Sequence, residues 1–303
     1  MPRSVNRVAQ HPVQAFAVAL AAVGVLSIMD AVMKALVLAI GIYAVTIWRA
    51  LANLVVASVM YLPRRLPWPS RATLRIHVWR AAVVTVMAFF FFWGIGRVPL
   101  AQALSLTFIA PLIALLLAGV FLHETIGARS IAGSVFALAG VIVIVAGQAT
   151  AKAAPGVLLG TAAIVGSALC YAVNVVLMRH QAVAAKPLEI NFFQALTVAV
   201  IWAVIVAALG LPPVPRGHVG WIVVASLLSS TGGLLFSWAY ARAEAGYLAV
   251  TEYSGFLWAA ALGWVIFHEP LRSYTLAGAA LIVGGCLLAA RGKSPEPPEM
   301  DYT

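Results

Sequence analysis

Long apolar runs separated by short polar breaks recur along almost the whole chain. A bilayer-spanning helix needs about 20 mainly apolar residues, and the chain offers ten such stretches. They lie near Pro12–Ala39, Ile42–Leu62, Ile76–Gly96, Ala101–Leu122, Ala128–Gly147, Gly156–Met178, Leu188–Leu209, Trp221–Tyr240, Tyr247–Phe267 and Tyr274–Ala290. The runs are too long for barrel strands, and an open sheet in lipid would leave peptide groups unpaired. The pattern therefore predicts an all-α integral membrane protein with ten transmembrane helices.

The chain also repeats itself. Residues 97–147 align without gaps on residues 242–292, an offset of 145. The alignment matches His123-Glu124 with His268-Glu269, Ala132-Gly133 with Ala277-Gly278, and Gly140 with Gly285. Upstream the same offset pairs Trp93 with Trp238 and Arg49-Ala50-Leu51 with Gln194-Ala195-Leu196. Each copy holds five spans. Because five is odd, the second copy enters the membrane from the opposite side, which makes two inverted five-helix repeats, 12–150 and 151–291. Inverted repeats are a recurrent build of secondary transporters, with the substrate site near the midplane between the copies and alternating access as the mechanism.

Composition agrees and excludes whole classes of function. Hydrophobic residues make up 63% of the 303 positions, charged ones only 9%, and mean hydropathy is +1.02. A soluble domain carries about a quarter of its residues charged. The formal charge of +10 in a soluble protein would raise nucleic acid as a partner; in a bilayer it reports orientation instead. With the N-terminus inside, thirteen of the 19 Lys and Arg residues fall on the cytoplasmic side, four outside and two, Lys34 and Arg49, within spans. That bias predicts an inner-membrane protein with both termini cytoplasmic. Residues 1–11 form a cytoplasmic N-terminus, and the first span reads as uncleaved rather than as a signal peptide. The polar, proline-rich 292–303 reads as a disordered cytoplasmic tail. Cys170 and Cys286 fall inside spans and indicate neither a disulfide framework nor a metal site.

Four ionisable side chains lie well within the spans: Asp30, Lys34, Arg49 and Glu252. Charges at that depth usually face a bundle interior or a watery cavity, so each is a candidate site residue. Asp30 and Lys34 stand four apart on one helix and can pair directly, with Arg49 as a third member. The competing reading gives Lys34 or Arg49 a substrate carboxylate and Asp30 a proton. Glu252 can carry a proton, bind an ammonium group, or pair with Arg242. Trp93, Tyr171, Asn174, Trp238, Tyr253 and Trp258 supply the aromatic and amide lining that suits a small amphipathic solute, although helix packing explains many aromatics equally. In the run Phe89–Trp93, Phe89 and Trp93 form one stripe that can face a cavity. Pro111, Gly232, Gly233 and Gly255 are candidate gating hinges. Gly133, Gly140, Gly278 and Gly285 read as close-packing positions.

With its doubled five-span unit, its paired His-Glu hairpins before glycine-rich helices, Arg49 in the second span, and Lys34 mirrored by Arg179, the chain resembles the EamA-type branch of the drug/metabolite transporter superfamily. The resemblance implies a secondary carrier without a cofactor, and an exporter of amino acids or related metabolites. The copies differ at Thr125 against Pro270 and at Gln194 against Arg49, so the halves need not work identically. An intramembrane enzyme is disfavoured: after each His-Glu the second His of a zinc-protease motif is missing, Gly127 and Arg272 standing in its place. Two alternatives stay open, a multidrug or other metabolite carrier and a passive channel. The expected partners are the lipid bilayer, a small-molecule substrate and, as candidate coupling ions, protons.

Overall fold

The computed structural model describes residues 12–64, 68–110, 113, 128–150, 156–240, 251 and 254–290. Its helices are α1 (Pro12–Tyr61), α2 (Arg71–Ile95), α3 (Leu100–Thr107), α4 (Ala128–Thr150), α5 (Val157–Ala184), α6 (Pro187–Leu209), α7 (Val219–Tyr240), α8 (Ser254–Phe267) and α9 (Ser273–Ala290). No strand occurs among the described residues. Five of these helices are long and apolar enough to cross a membrane. Each expected span carries helix among its described residues, although the span expected over Ala101–Leu122 is helical through Thr107 before a turn at Phe108–Ile109, and the end of that span and the start of the Tyr247–Phe267 span lie outside the described residues.

α1 holds two of the expected spans. It breaks at Gly41, whose φ of 77° and ψ of 156° are non-helical. Only glycine enters that region without steric cost, so the break falls where the side chain is absent. The two limbs, 12–40 and 42–61, fold back on each other. Asp30 on the first limb interacts electrostatically with Arg49 on the second, which a straight helix would hold roughly 28 Å away. Tyr43 Oη donates to the Gly210 carbonyl at 2.7 Å and ties the second limb to the end of α6. Elsewhere the punctuation is local. Ser70 accepts from the Thr73 N–H at 3.2 Å and caps α2. Pro187 opens α6, and Gly210 closes it with φ 89°.

Lipid is as apolar as leucine, so helices in a membrane associate through close packing and hydrogen bonds rather than through apolar burial. α4 and α9 show how. A Cβ on Gly140 would stand 2.5 Å from the Gly278 carbonyl oxygen, and one on Gly285 would collide with the Gly133 carbonyl. The glycines bring two backbones into contact, and the order of the pairs, 140 with 278 and 133 with 285, makes the helices antiparallel. Under the 145-residue offset each of these contacts turns into the other.

The same exchange relates the next two large helix contacts, α1 with α7 and α2 with α5. In the second, a Cβ on Gly94 would press on Ile164 and on the Gly160 carbonyl. Their offset mates, Ala239, Ala19 and Ala15, form a buried cluster of their own between the first limb of α1 and α7. The main core gathers side chains from both limbs of α1 and from α2, α3, α4, α5, α7, α8 and α9.

Candidate functional site

The bundle has two ends and a polar middle. At one end lies Lys34, only 3% exposed. It ion-pairs with Glu269 Oε1, donates to the Val98 carbonyl at 2.7 Å and stands 5.2 Å from the Phe267 ring centroid. Glu269 Oε2 accepts the Leu100 N–H at 2.8 Å. That N–H belongs to the first turn of α3, where Pro99 offers no side-chain cap. A carboxylate there complements the helix dipole.

The local chain explains how Glu269 arrives. His268 adopts a left-handed conformation, φ 53°, and ends α8. Its N–H bonds to the Trp264 carbonyl at 3.1 Å, and the Glu269 N–H bonds to that of Gly263 at 3.0 Å. Gly263 leaves room for the carboxylate, since a Cβ there would lie 2.9 Å from Glu269 Oε2. Outside this pair an open cleft of about 280 Å³ is lined by Lys34, Leu38, Gly96, Arg97, Val98, Pro99, Phe267 and Glu269.

The pairing corrects the expectation for Lys34. Asp30 is not its ion-pair partner; one turn away on the same helix, it lies toward Arg49 instead. Lys34 is claimed by a carboxylate from a connecting segment 235 residues distant in sequence. Spacing along one helix cannot reveal such a partner.

In the middle, the Arg49 guanidinium sits 4.9 Å from the centroid of Phe92. Phe92, rather than Phe89, is the ring of the phenylalanine run that meets a charge. Phe89 packs with Trp202 at 6.2 Å. Arg49 Nε and, one turn on, Asn53 Oδ1 are buried without a hydrogen-bond partner, as are Gln102 Nε2 on α3 and Ser226 Oγ on α7. Buried polar atoms are nearly always bonded; Arg49 and Asn53, one turn apart on α1, hold two that are not, while Gln102 lies toward Glu269 at the Lys34 end.

At the other end, Tyr61, Trp68, His77, Phe192 and Phe193 pack together. Tyr61 stacks on Phe192 at 4.6 Å and His77 on Phe193 at 5.4 Å. His77 Nε2 lies 3.3 Å from Glu189 Oε1. Nearer the middle, Arg80 Nε donates to the buried Asn174 Oδ1 at 2.9 Å. Charge counting assigns Arg80 to the cytoplasmic flank, yet it turns inward and engages a candidate site residue.

The remaining candidates scatter. Trp93 lies under the Arg97 guanidinium, 3.6 Å from its ring centroid, which places it beside the cleft. Tyr171, Trp238 and Trp258 are each more than a third exposed, and Trp258 borders Gly24. Gly232 and Gly233 lie in an unbroken α7, and Gly232 gives room to Leu26; Gly41 is the glycine that breaks a helix. Gly255 is buried near Leu104 and Val23 at the start of α8. Glu252, Tyr253, Pro111 and the His123-Glu124 pair lie outside the described residues. Sequence reasoning missed Glu269, Gln102, Phe92, Asn53 and Gly263. The doubled His-Glu pair was the one available signal for Glu269.

Known proteins agree with this architecture. The chain is 24% identical over 204 residues to the Pseudopaline exporter CntI of Pseudomonas aeruginosa strain UCBPP-PA14, covering 67% of this chain and 70% of the relative; the strain PAO1 protein matches to the same extent. A solved crystal structure superposes with a TM-score of 0.60 at 20% identity over 93% of this chain and 97% of its own, and so shares the fold. The EamA-like transporter family matches twice, over residues 14–146 and again over residues 158–291, so the chain belongs to the EamA-like transporter family.

Proposed function

We propose that the protein exports amino acids or closely related carboxylate-bearing metabolites across the inner membrane by alternating access between two inverted five-helix halves. The observation that carries this reading is the polar middle: an arginine and an asparagine on one limb of α1, with buried atoms lacking partners, and Asp30 on the other limb. A zwitterion supplies what is missing. Its carboxylate meets Arg49 as a bidentate acceptor, its ammonium meets Asp30, and its side chain rests on Phe92. The double family match, the self-exchanging α4–α9 contact and the relative named as an exporter of another small molecule all support the reading. In this reading the Lys34 end faces outward and the His77 end faces the cytoplasm.

Counterflow tests it. Purified protein in liposomes loaded with unlabelled amino acids should accumulate the labelled counterpart transiently, and Arg49→Gln should weaken amino acids far more than their amides. Passive equilibration without counterflow would instead indicate a channel. Equal losses for charged and uncharged solutes would indicate a broad-specificity carrier.

A further inference from the structure

The cleft beside Lys34 combines features that a mere packing defect lacks. It holds a buried ammonium, an exposed guanidinium at Arg97, one carboxylate already bound to the ammonium, and an apolar wall from Leu38, Pro99 and Phe267. Positive groups outnumber negative ones there. Arg97 spends one N–H on the Trp93 carbonyl at 3.0 Å, which leaves most of its five donors for another acceptor. On the far side of Glu269 lies a second, nearly filled pocket lined by Pro99, Ala101, Gln102, Gly263 and Glu269, among others. Gln102 Nε2 is buried and unpartnered there. The Glu269 carboxylate therefore borders both an open cleft and a tight pocket that runs from the exposed Pro270–Arg272 stretch to the buried Ala101 and Gln102.

We propose that this cleft is a carboxylate-exit subsite in which the carboxylate of the departing molecule takes the place of Glu269 on Lys34, with Arg97 as its outer holder. The inference rests on the export reading above and names the exchange by which that site empties. The exchange conserves charge, because Lys34 loses one carboxylate and gains another and no ammonium is stranded in a low-dielectric setting. Glu269 leaves with two consequences, since its other oxygen holds the first N–H of α3. Releasing it frees both the first limb of α1 and the start of α3 from the α8–α9 connection. A solute without a carboxylate has nothing to offer Lys34 and leaves the pair closed. By the same logic Gly263 is a specificity device, since a larger residue would push Glu269 Oε2 off its seat.

The test reads opening directly. Ala101, 4% exposed behind Glu269, is replaced by cysteine in a full-length chain carrying Cys170→Ser and Cys286→Ser, and its rate of reaction with a maleimide is followed in detergent. Propionate should raise the rate about tenfold, the shift produced by about 1.4 kcal/mol of differential binding, whereas propionamide at equal concentration should not. Added Lys34→Gln should abolish the response, and added Gly263→Ala should give a fast rate without propionate. An equal effect of propionate and propionamide, no effect of either, or a full propionate response in Lys34→Gln would overturn the proposal. Should Lys34→Gln fail to fold, the propionate contrast and Gly263→Ala decide alone. Counterflow alongside an Ala101→Cys thiol that never reacts would sink this inference and spare the export reading; a propionate response without counterflow would do the reverse.

Discussion

At the Lys34 end four segments of chain meet on one ammonium and one carboxylate, whereas at the His77 end the second limb of α1, α2 and α6 meet on stacked rings beside a His–Glu contact. The first arrangement is specific and brittle. Both oxygens of Glu269 are engaged, Lys34 has a backbone acceptor besides, and a glycine is reserved to admit the carboxylate. The second is broad and forgiving, because aromatic pairs tolerate sliding and each contributes only about 0.5–1.5 kcal/mol beyond its area. An ion pair opens in one step when a competing ion arrives. A ring cluster loosens by degrees. The two ends of this protein are thus held by interactions of different kinds.

The sharpest way to break that contrast is at the brittle end. Lys34→Met leaves the part-buried Glu269 without its cation, which costs about 1–3 kcal/mol. The expected outcome is a drop in melting temperature in detergent together with loss of counterflow, and the double exchange Lys34→Glu with Glu269→Lys should recover part of both. Next comes the α4–α9 seam that both ends share. Gly140→Ala forces a methyl against the Gly278 backbone, where no side chain can yield, so about 1–3 kcal/mol of destabilisation is expected from overpacking and should be visible in thermal unfolding. At the forgiving end, His77→Phe keeps the stack on Phe193 and loses the 3.3 Å contact with Glu189, for about 1 kcal/mol, the net worth of one hydrogen bond. The smallest change is Tyr61→Phe. The Tyr61 hydroxyl is buried without a partner, so its removal should leave the melting temperature unchanged or slightly raised, and a clear fall would mean that the hydroxyl bonds across this end after all.

Much of the fold was legible because lipid imposes a simple rule on sequence: apolar length sets each span, and a glycine, proline or polar break between runs ends it. The hairpin at Gly41, the α6 boundary at Gly210 and the close-packing glycines of α4 and α9 follow from such local facts. The site was legible only in part. Arg49 and Asp30 announced themselves as charges at depth and do lie within each other's field. Asn174 emerged beside Arg80, a residue that charge counting places elsewhere. Glu269 was hidden because its chemistry depends on a left-handed His268 that folds a connecting segment back into the bundle, and hydropathy assigns connecting segments to water. Phe92 was hidden because four consecutive phenylalanines cover every face of a helix, and only the neighbours of α2 decide which ring meets Arg49.

By itself, then, the sequence determined the solvent, the helices and their duplication, since these depend on composition and periodicity that any neighbour would leave unchanged. The tertiary structure decided the partners: Glu269 for Lys34, Phe92 for Arg49, Gly278 for Gly140. An ion pair or a helix contact is a relation between positions far apart in the chain, and the distance that makes it strong exists only once the helices have packed.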